Sequence, residues 1–364
     1  MNLNVFEGKR NPGVLFQPRI EPWFDLHSRK GDISGRFRGM SVRDFYDDLG
    51  VSMRYMHYYT GMPYPVDCAQ SAKVRVTWQD DGKEGATVIE TPEGRLVSKH
   101  QMTQDNTWRT VEFAAKTPRD LAVLRSYFEN TAYHFNAGNF RRGSEFIGDR
   151  GEPQFWVPRS PYQALCLDWM SLEDFMSALS EEPQAVEDAM KAIDGSYDPL
   201  YEEITSAGCV RILNFGENID INWLSPAYFE KYHMPFYAKR CGQLSRAHIR
   251  THAHIDGSFK PLLKHLKRLP FDGLEALTPL PQGDVELEEI KEHIGDKVLL
   301  DGIPAVLFLP HFSAEAVQEF TERVIRLFHP RLVLGISDEF PQGAPEECLE
   351  RVRWVANRCR RKEG

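Results

Sequence analysis

The sequence contains no C-x-x-C pair: its six cysteines, Cys68, Cys166, Cys209, Cys241, Cys348 and Cys359, lie far apart. This argues against a zinc ribbon, an iron–sulfur cluster and a disulfide framework, and leaves reduced, mostly buried thiols. No run of apolar residues approaches the about 18 needed to span a bilayer, and the opening MNLNVFEGKRNPGVLF lacks a basic segment followed by an apolar one. Neither membrane insertion nor export is expected, and a cytoplasmic protein is the default. Positive charge is also in short supply, with 44 Lys and Arg against 53 Asp and Glu for a net charge of −9. Outside the short tail RCRRKEG there is no basic cluster, so a nucleic-acid partner is not expected.

The 364 residues, 41% hydrophobic and 12% aromatic, are ample for a large core. From about residue 208 onward, short apolar runs alternate with amphipathic stretches, as in successive βα units. The strand candidates are CVRILNF (209–215), HIRTHAHI (248–255), DGLEAL (272–277), KVLLDGI (297–303) and RLVLGIS (331–337). Between them fall helix candidates: SPAYFEKYHMPFYAKRC with a cap at Ser225, SFKPLLKHLKRL, VELEEIKEHIG stopped by Gly295, and SAEAVQEFTERVIRLF with Val317, Phe320, Val324 and Leu327 near one face. APEECLERVRWVANRC closes the chain as a helix. No G-x-G-x-x-G follows any strand, which weakens a dinucleotide-binding sheet.

Three upstream candidates, GVLFQPRI (13–20), the segment near VSMRYMH (51–57) and QFWVPRS (154–160), bring the strand count to eight. The expected fold is therefore α/β, a (β/α)8 TIM barrel forming one domain over 1–364. Residues 72–117 alternate apolar and polar side chains across Asp-Gly and Glu-Gly turns and read as an antiparallel β-meander inserted into the N-terminal half. Residues 171–206 read as a helical pair.

Barrel enzymes build their sites just past the C-terminal ends of the strands. There the sequence carries Arg19, Glu21, Trp23 and Asp25 in RIEPWFD, and Glu217, Asn218 and Asp220 in GENID. It also carries His254 and Asp256 in HIDG, Glu275 in LEALTP, Asp301, and Asp338 in GISDEFP. His252, His254 and Asp256 share one face of an extended strand. A strand end opening into a polar mouth could use them, with Glu275 from a neighbouring strand, as a metal site or acid/base pair. The plainer alternative is that His254 and Asp256 bond each other or cap the helix beginning at Ser258. Tyr55, Tyr58 and Tyr59 with Trp23 either belong to the core or line a pocket for a flat or cationic substrate.

At HIDG (254–257), DGLEALTPLPQGDVELEEIKEHIGDKVLLDGIP (272–304), LGISDEFP (334–341) and GMSVRDFYDDLGVSMRYMHYY (39–59), the chain resembles the uroporphyrinogen decarboxylase superfamily, specifically its corrinoid-dependent methyltransferases. Two departures narrow the resemblance. The Arg-Gln-Ala-Gly-Arg run with which the decarboxylases grip substrate carboxylates is replaced by QPRIEPWFD. The His-x-Cys and later Cys of the thiol-activating members are also absent: His254 keeps the histidine, Asp256 replaces the first cysteine, and Ile336 or its neighbours replace the second.

Such a resemblance implies a methyltransferase of the demethylating, first-component type. It would take a methyl group from a methoxylated or methylamine-type small molecule and deliver it to the reduced cobalt of a corrinoid held by a partner protein. A nitrogen-plus-carboxylate set can still hold zinc and makes a more Lewis-acidic centre than a thiolate set. Within this reading the metal ligands are His254, Glu275 and Glu217, the catalytic residues Glu217, Asp220 and Asp256, and the substrate-binding residues Arg19, Glu21, Trp23, Tyr59 and Asp338. Asp256 orients His254. Homodimers are common in the resembling family. His254 and Glu275 are expected on the rim, where substitution leaves the fold intact. Three rivals stand beside it: a tetrapyrrole decarboxylase, a metal-independent hydrolase using Glu217 and Glu275 as its acid and base, and a non-catalytic binding barrel.

Overall fold

The computed structural model describes residues 2–9, 13–103 and 107–361. The chain divides into two compact units, one from residues 1–65, 137–157 and 208–364, the other from 66–136 and 158–207.

In the first unit the strand–helix alternation becomes a parallel sheet. Its strands are β1 (Leu15–Phe16), β2 (Trp156–Val157), β3 (Ile212–Phe215), β4 (Arg250–Ile255), β5 (Gly273–Ala276), β6 (Val298–Pro304) and β7 (Leu332–Ser337). They pair in the order β1-β7-β6-β5-β4-β3-β2. The segment 51–57 takes the remaining place. Ser52 N donates to Phe16 O at 3.1 Å, Met56 N donates to Gln154 O at 3.1 Å, and Tyr55 bridges Gln154 in parallel. The two outer strands are thus linked through an irregular eighth stave, as the (β/α)8 reading requires.

Strands covered on both sides need no polar face, and β3 to β7 are buried almost throughout. At the N-terminal ends the filling is apolar: Val5 and Phe6, from the helix Asn2–Phe6, pack with Leu15, Ile212, Val298, Leu300 and Val333. Higher up the filling turns polar, with Gln17, Arg54, Gln154, Asn214, His252, Glu275 and Asp301 all buried.

Outer helices largely follow the sequence signals. Ser225 caps its helix by accepting from Tyr228 N, and Gly295, at φ +68°, ends the helix Leu287–Ile294. Two details differ. SFKPLLKHLKRL winds as a 3-10 helix over Lys260–Arg268, because its buried Leu263, Leu266 and Leu269 recur every three residues and eclipse at that pitch. The helix Ala314–Phe328 buries Val317, Thr321, Val324, Ile325 and Phe328, leaving Phe320 and Leu327 half-buried.

The second unit contains the four-stranded antiparallel meander Arg75–Asp80, Glu84–Thr91, Gly94–Met102 and Trp108–Glu112. Asp81 shapes the first turn by accepting from Lys83 N and Glu84 N, both at 2.8 Å. A separate pair, Val66–Gln70 with Thr131–Phe135, and the helix Pro118–Glu129 belong to the same unit. Residues 171–206 hold three helices rather than two, Leu172–Glu181, Pro183–Ser196 and Asp198–Ala207. Proline in the first turn restarts the chain at Pro183 and again at Pro199. Among the described residues no helix is long and apolar enough to cross a membrane.

Candidate functional site

Strand β4 answers why histidines alternate in THAHIDG. Thr251 faces the helical layer, where its hydroxyl reaches Cys241 Sγ at 3.8 Å, so His252 and His254 point into the barrel. His252 lies level with Asn214 on β3, and His254 with Glu275 on β5. Just past the strand, residue 257 is glycine for a steric reason. Its backbone is left-handed, at φ +73°, and a Cβ there would collide with the Asp220 carboxylate.

Glu275 is the hub of the interior. It is fully buried and accepts from Arg54 Nη1 at 2.6 Å, from Tyr55 OH at 2.6 and 2.7 Å, and from Asn214 Nδ2. Arg54 Nη1 also lies 2.8 Å from Asp301, whose backbone is left-handed at φ +80°. Glycine at 335 leaves Asp301 room, since a Cβ there would meet its carboxylate. Burial alone would raise the pKa of Glu275, but the guanidiniums of Arg54 and Arg19 and the bonds from His252 and His254 hold it well below the usual carboxylate range. Asp301 goes the other way: burial and the charge of Glu275 push it up against the pull of the two arginines. His252 is lowered by burial. Its Nε2 lies 2.8 Å from Gln154 Oε1, and its Nδ1 lies 3.1 Å from Asn214 Nδ2 and 3.5 Å from Glu275.

Above this layer the polar groups reach the mouth. His254 Nδ1 lies 3.5 Å from Glu275, and its Nε2 lies 3.4 Å from Asp338 Oδ1. One ligating atom from each of His254, Asp256 and Asp338 falls within 4.8 Å of the others. Two ligands on one tetrahedral zinc stand about 3.4 Å apart, so the His254–Asp338 spacing already matches. An imidazole nitrogen with two carboxylates suits a zinc ion with an open coordination position. The residues present fit that metal.

The structure places the remaining sequence-predicted residues as follows. Glu275 and Asp256 occupy each other's expected places. Glu275, expected as a ligand, has its oxygens occupied by Arg54, Tyr55 and Asn214 and faces the far side of the His254 ring, as a carboxylate that orients a ligating imidazole does. Asp256, expected to orient His254, joins the cluster and accepts from Asn218 Nδ2 at 3.3 Å. Asp338, expected at the substrate, is the third member. Glu217 is buried but is not in this group. Asp220 shapes a loop, accepting from Asn222 N at 2.8 Å and Ser258 N at 3.3 Å.

Arg19 lies 3.6 Å from Asp301 and 4.0 Å from Glu275, and it pairs with Asp338. Glu21 is completely buried, and burial pushes its carboxyl up to about 7. Trp23 is core: its indole donates to Ala344 O at 2.7 Å and stacks on Phe45, so it cannot line the mouth. Tyr59 is exposed and meets Tyr58 edge-on, with ring centroids 4.8 Å apart. Tyr58, bonded to Glu339, packs with Trp156, whose ring lies 5.5 Å from that of Tyr58 and 4.1 Å from His57. Burial lowers His57 to about 4, so its imidazole is neutral at pH 7.

Sequence reasoning missed Arg54 and Asn214. Both are polar residues set among apolar neighbours, in MRYM and ILNF, and that interruption was the available signal.

The family model described as Uroporphyrinogen decarboxylase (URO-D) matches residues 165–358. No curated protein sequence matches the chain significantly. Among solved structures, a methyltransferase from Methanosarcina mazei aligns over 98% of this chain and 97% of its own, at 12% identity and a TM-score of 0.58. That likeness speaks to the fold. A B12-independent methionine synthase from Shewanella sp. W3-18-1 aligns over 88% of this chain and 84% of its own, at 12% identity and a TM-score of 0.46. A putative vitamin-B12 independent methionine synthase from Listeria monocytogenes aligns over 61% and 67%, at 16% identity and a TM-score of 0.40.

Proposed function

Because the chain belongs to the uroporphyrinogen decarboxylase (URO-D) family, we propose that it is an enzyme of that family's methyl-transferring kind. It would move a methyl group from a methoxylated or methylamine-type donor to the cobalt of a corrinoid carried by a partner protein. The observation that carries this reading is the meeting of His254, Asp256 and Asp338 at the strand ends, with the second ring nitrogen of His254 turned to Glu275.

In this reading His254, Asp256 and Asp338 hold zinc, which when bound supplies Lewis acidity to the oxygen or nitrogen from which the methyl group departs. The chain's own residues do the rest. Glu275 fixes the imidazole orientation, and Arg54 and Tyr55 fix Glu275, so the ligand nitrogen is placed before any donor arrives. Tyr58 and Trp156 offer flat apolar surface to the donor and keep water from it. Glu339, tied to Tyr58, holds that wall in place.

The network disfavours the two-carboxylate hydrolase, which needs one acid protonated and one ionised. Glu275 has no exposed surface and its oxygens are taken by Arg54, Tyr55 and Asn214, so it cannot reach a substrate as either member of that pair.

The test is to mix the protein with chemically reduced cobalamin and panels of methoxyarenes and methylamines, and to follow methylcobalamin by absorbance. Methylcobalamin formed by the native chain and not by His254→Ala supports the proposal. Release of carbon dioxide from a coproporphyrin-type substrate, with no methyl transfer, would replace it with the decarboxylase reading.

A further inference from the structure

The barrel mouth already contains cations of its own. Two guanidiniums, Arg19 and Arg54, face three carboxylates: Glu275, Asp301 and Asp338. They are not placed alike. Arg54 sits between the inner pair, 2.6 Å from Glu275 and 2.8 Å from Asp301. Arg19 stands farther off, 4.0 Å from Glu275 and 3.6 Å from Asp301, and its Nη2 closes on Asp338. Asp338 is therefore claimed twice. The same Oδ1 that pairs with Arg19 lies 3.4 Å from His254 Nε2 and belongs to the only three-residue cluster able to hold a metal among the described residues.

A guanidinium and a divalent ion cannot both sit against one carboxylate at contact distance without mutual repulsion, which at separations of a few ångströms acts well inside the screening length. Arg19 has an alternative: its inner partners are already within 4 Å, and a change of side-chain torsion would bring it onto them.

Resting on the metal-site reading above, we propose that Arg19 and a divalent cation compete for Asp338. The arginine holds the carboxylate until the cation arrives, then turns inward to Glu275 and Asp301. Arg19 is thus a positioning residue that sets metal affinity. It keeps Asp338 ordered and charge-balanced, and in exchange makes the metal weaker and more readily released than the three ligands alone would.

Metal affinity of the full chain tests this directly, by titrating zinc against a chromophoric chelator. Arg19→Met removes the competitor and is expected to tighten zinc by about tenfold, a coupling of ordinary size for two sites sharing a group. That variant also loses a buried charge, which destabilises the fold, and its greater negative charge at the mouth would by itself tighten zinc. Arg19→Lys answers both concerns: it keeps a positive charge beside Glu275 and Asp301, but is too short and too narrow to span to Asp338.

Arg19→Lys is expected to fold and to tighten zinc several-fold, about threefold or more. In an Asp338→Asn background, where zinc is held more weakly, the Arg19→Lys change is expected to leave the residual affinity unaltered. Arg19→Lys binding zinc no tighter than the native chain overturns the proposal, while zinc binding that still depends on His254 leaves the metal site standing. Zinc binding to neither the native chain nor the Arg19 variants removes both.

Discussion

The Nδ1 atom of His254 lies 3.5 Å from the carboxylate of Glu275, a residue with no exposed surface. The acid beneath the mouth is therefore part of the interior, not of the rim, and substituting it has a structural cost. Glu275→Ala would leave Arg54 buried with Asp301 as its only close acid. Breaking a buried ion pair in this way costs roughly 3–5 kcal/mol, measurable as a loss of unfolding free energy in urea. Glu275→Gln, which keeps the shape, should lose less. A Glu275→Ala protein as stable as the native chain would show that the network contributes little.

Asp220 is expected to behave as a loop residue. Its carboxylate accepts from Ser258 N and Asn222 N beside the left-handed Gly257. Asp220→Ala should cost about 1 kcal/mol, the usual value of such a side-chain-to-backbone bond, and leave zinc content unchanged. Loss of zinc with stability intact would return Asp220 to the catalytic role the sequence suggested.

Glu21 gives the fold a pH dependence of definite sign. Its carboxyl titrates near 7 when folded, mainly because of burial, against an ordinary value of 4.5. Between those values the folded chain binds more proton than the unfolded chain, so the Glu21 contribution to stability is full below 4.5 and falls as pH rises to about 7. The full loss is of order 3 kcal/mol. Unfolding curves of the native chain and Glu21→Gln across this range should diverge with rising pH, the native chain losing more. Parallel curves would mean that Glu21 is solvated or paired.

The strands were legible because each is a short apolar run between turn residues, and His-x-His-x-Asp fixed which face of β4 looks inward. Depth was not legible. Glu275 and Asp338 both sit at strand ends in the sequence, yet one is sealed under Arg54 and Tyr55 while the other is 40% exposed as a side chain. Only the register of β4 against β5 and the reach of Arg54 decide that difference. Trp23 misled for a related reason. A tryptophan after β1 suits a pocket wall, but its indole finds Ala344 O, a partner from the far end of the chain that spacing cannot reveal.

Tyr58 ties the aromatic wall to Glu339 by a hydrogen bond. Tyr58→Phe removes that bond and keeps the ring. It should lower stability by no more than about 1 kcal/mol and raise the KM for the methyl donor more than it lowers kcat. A fall in kcat at unchanged KM would give the phenol a part in the chemistry itself.

The central claim is that His254, Asp256 and Asp338 together hold a metal ion. Elemental analysis of protein refolded or expressed with zinc and then dialysed, for the native chain beside His254→Ala and Asp338→Asn, measures it most directly. One zinc per native chain, with little in either folded variant, is the expected result. A native chain without zinc, or a His254→Ala protein that retains it in full, would contradict the claim.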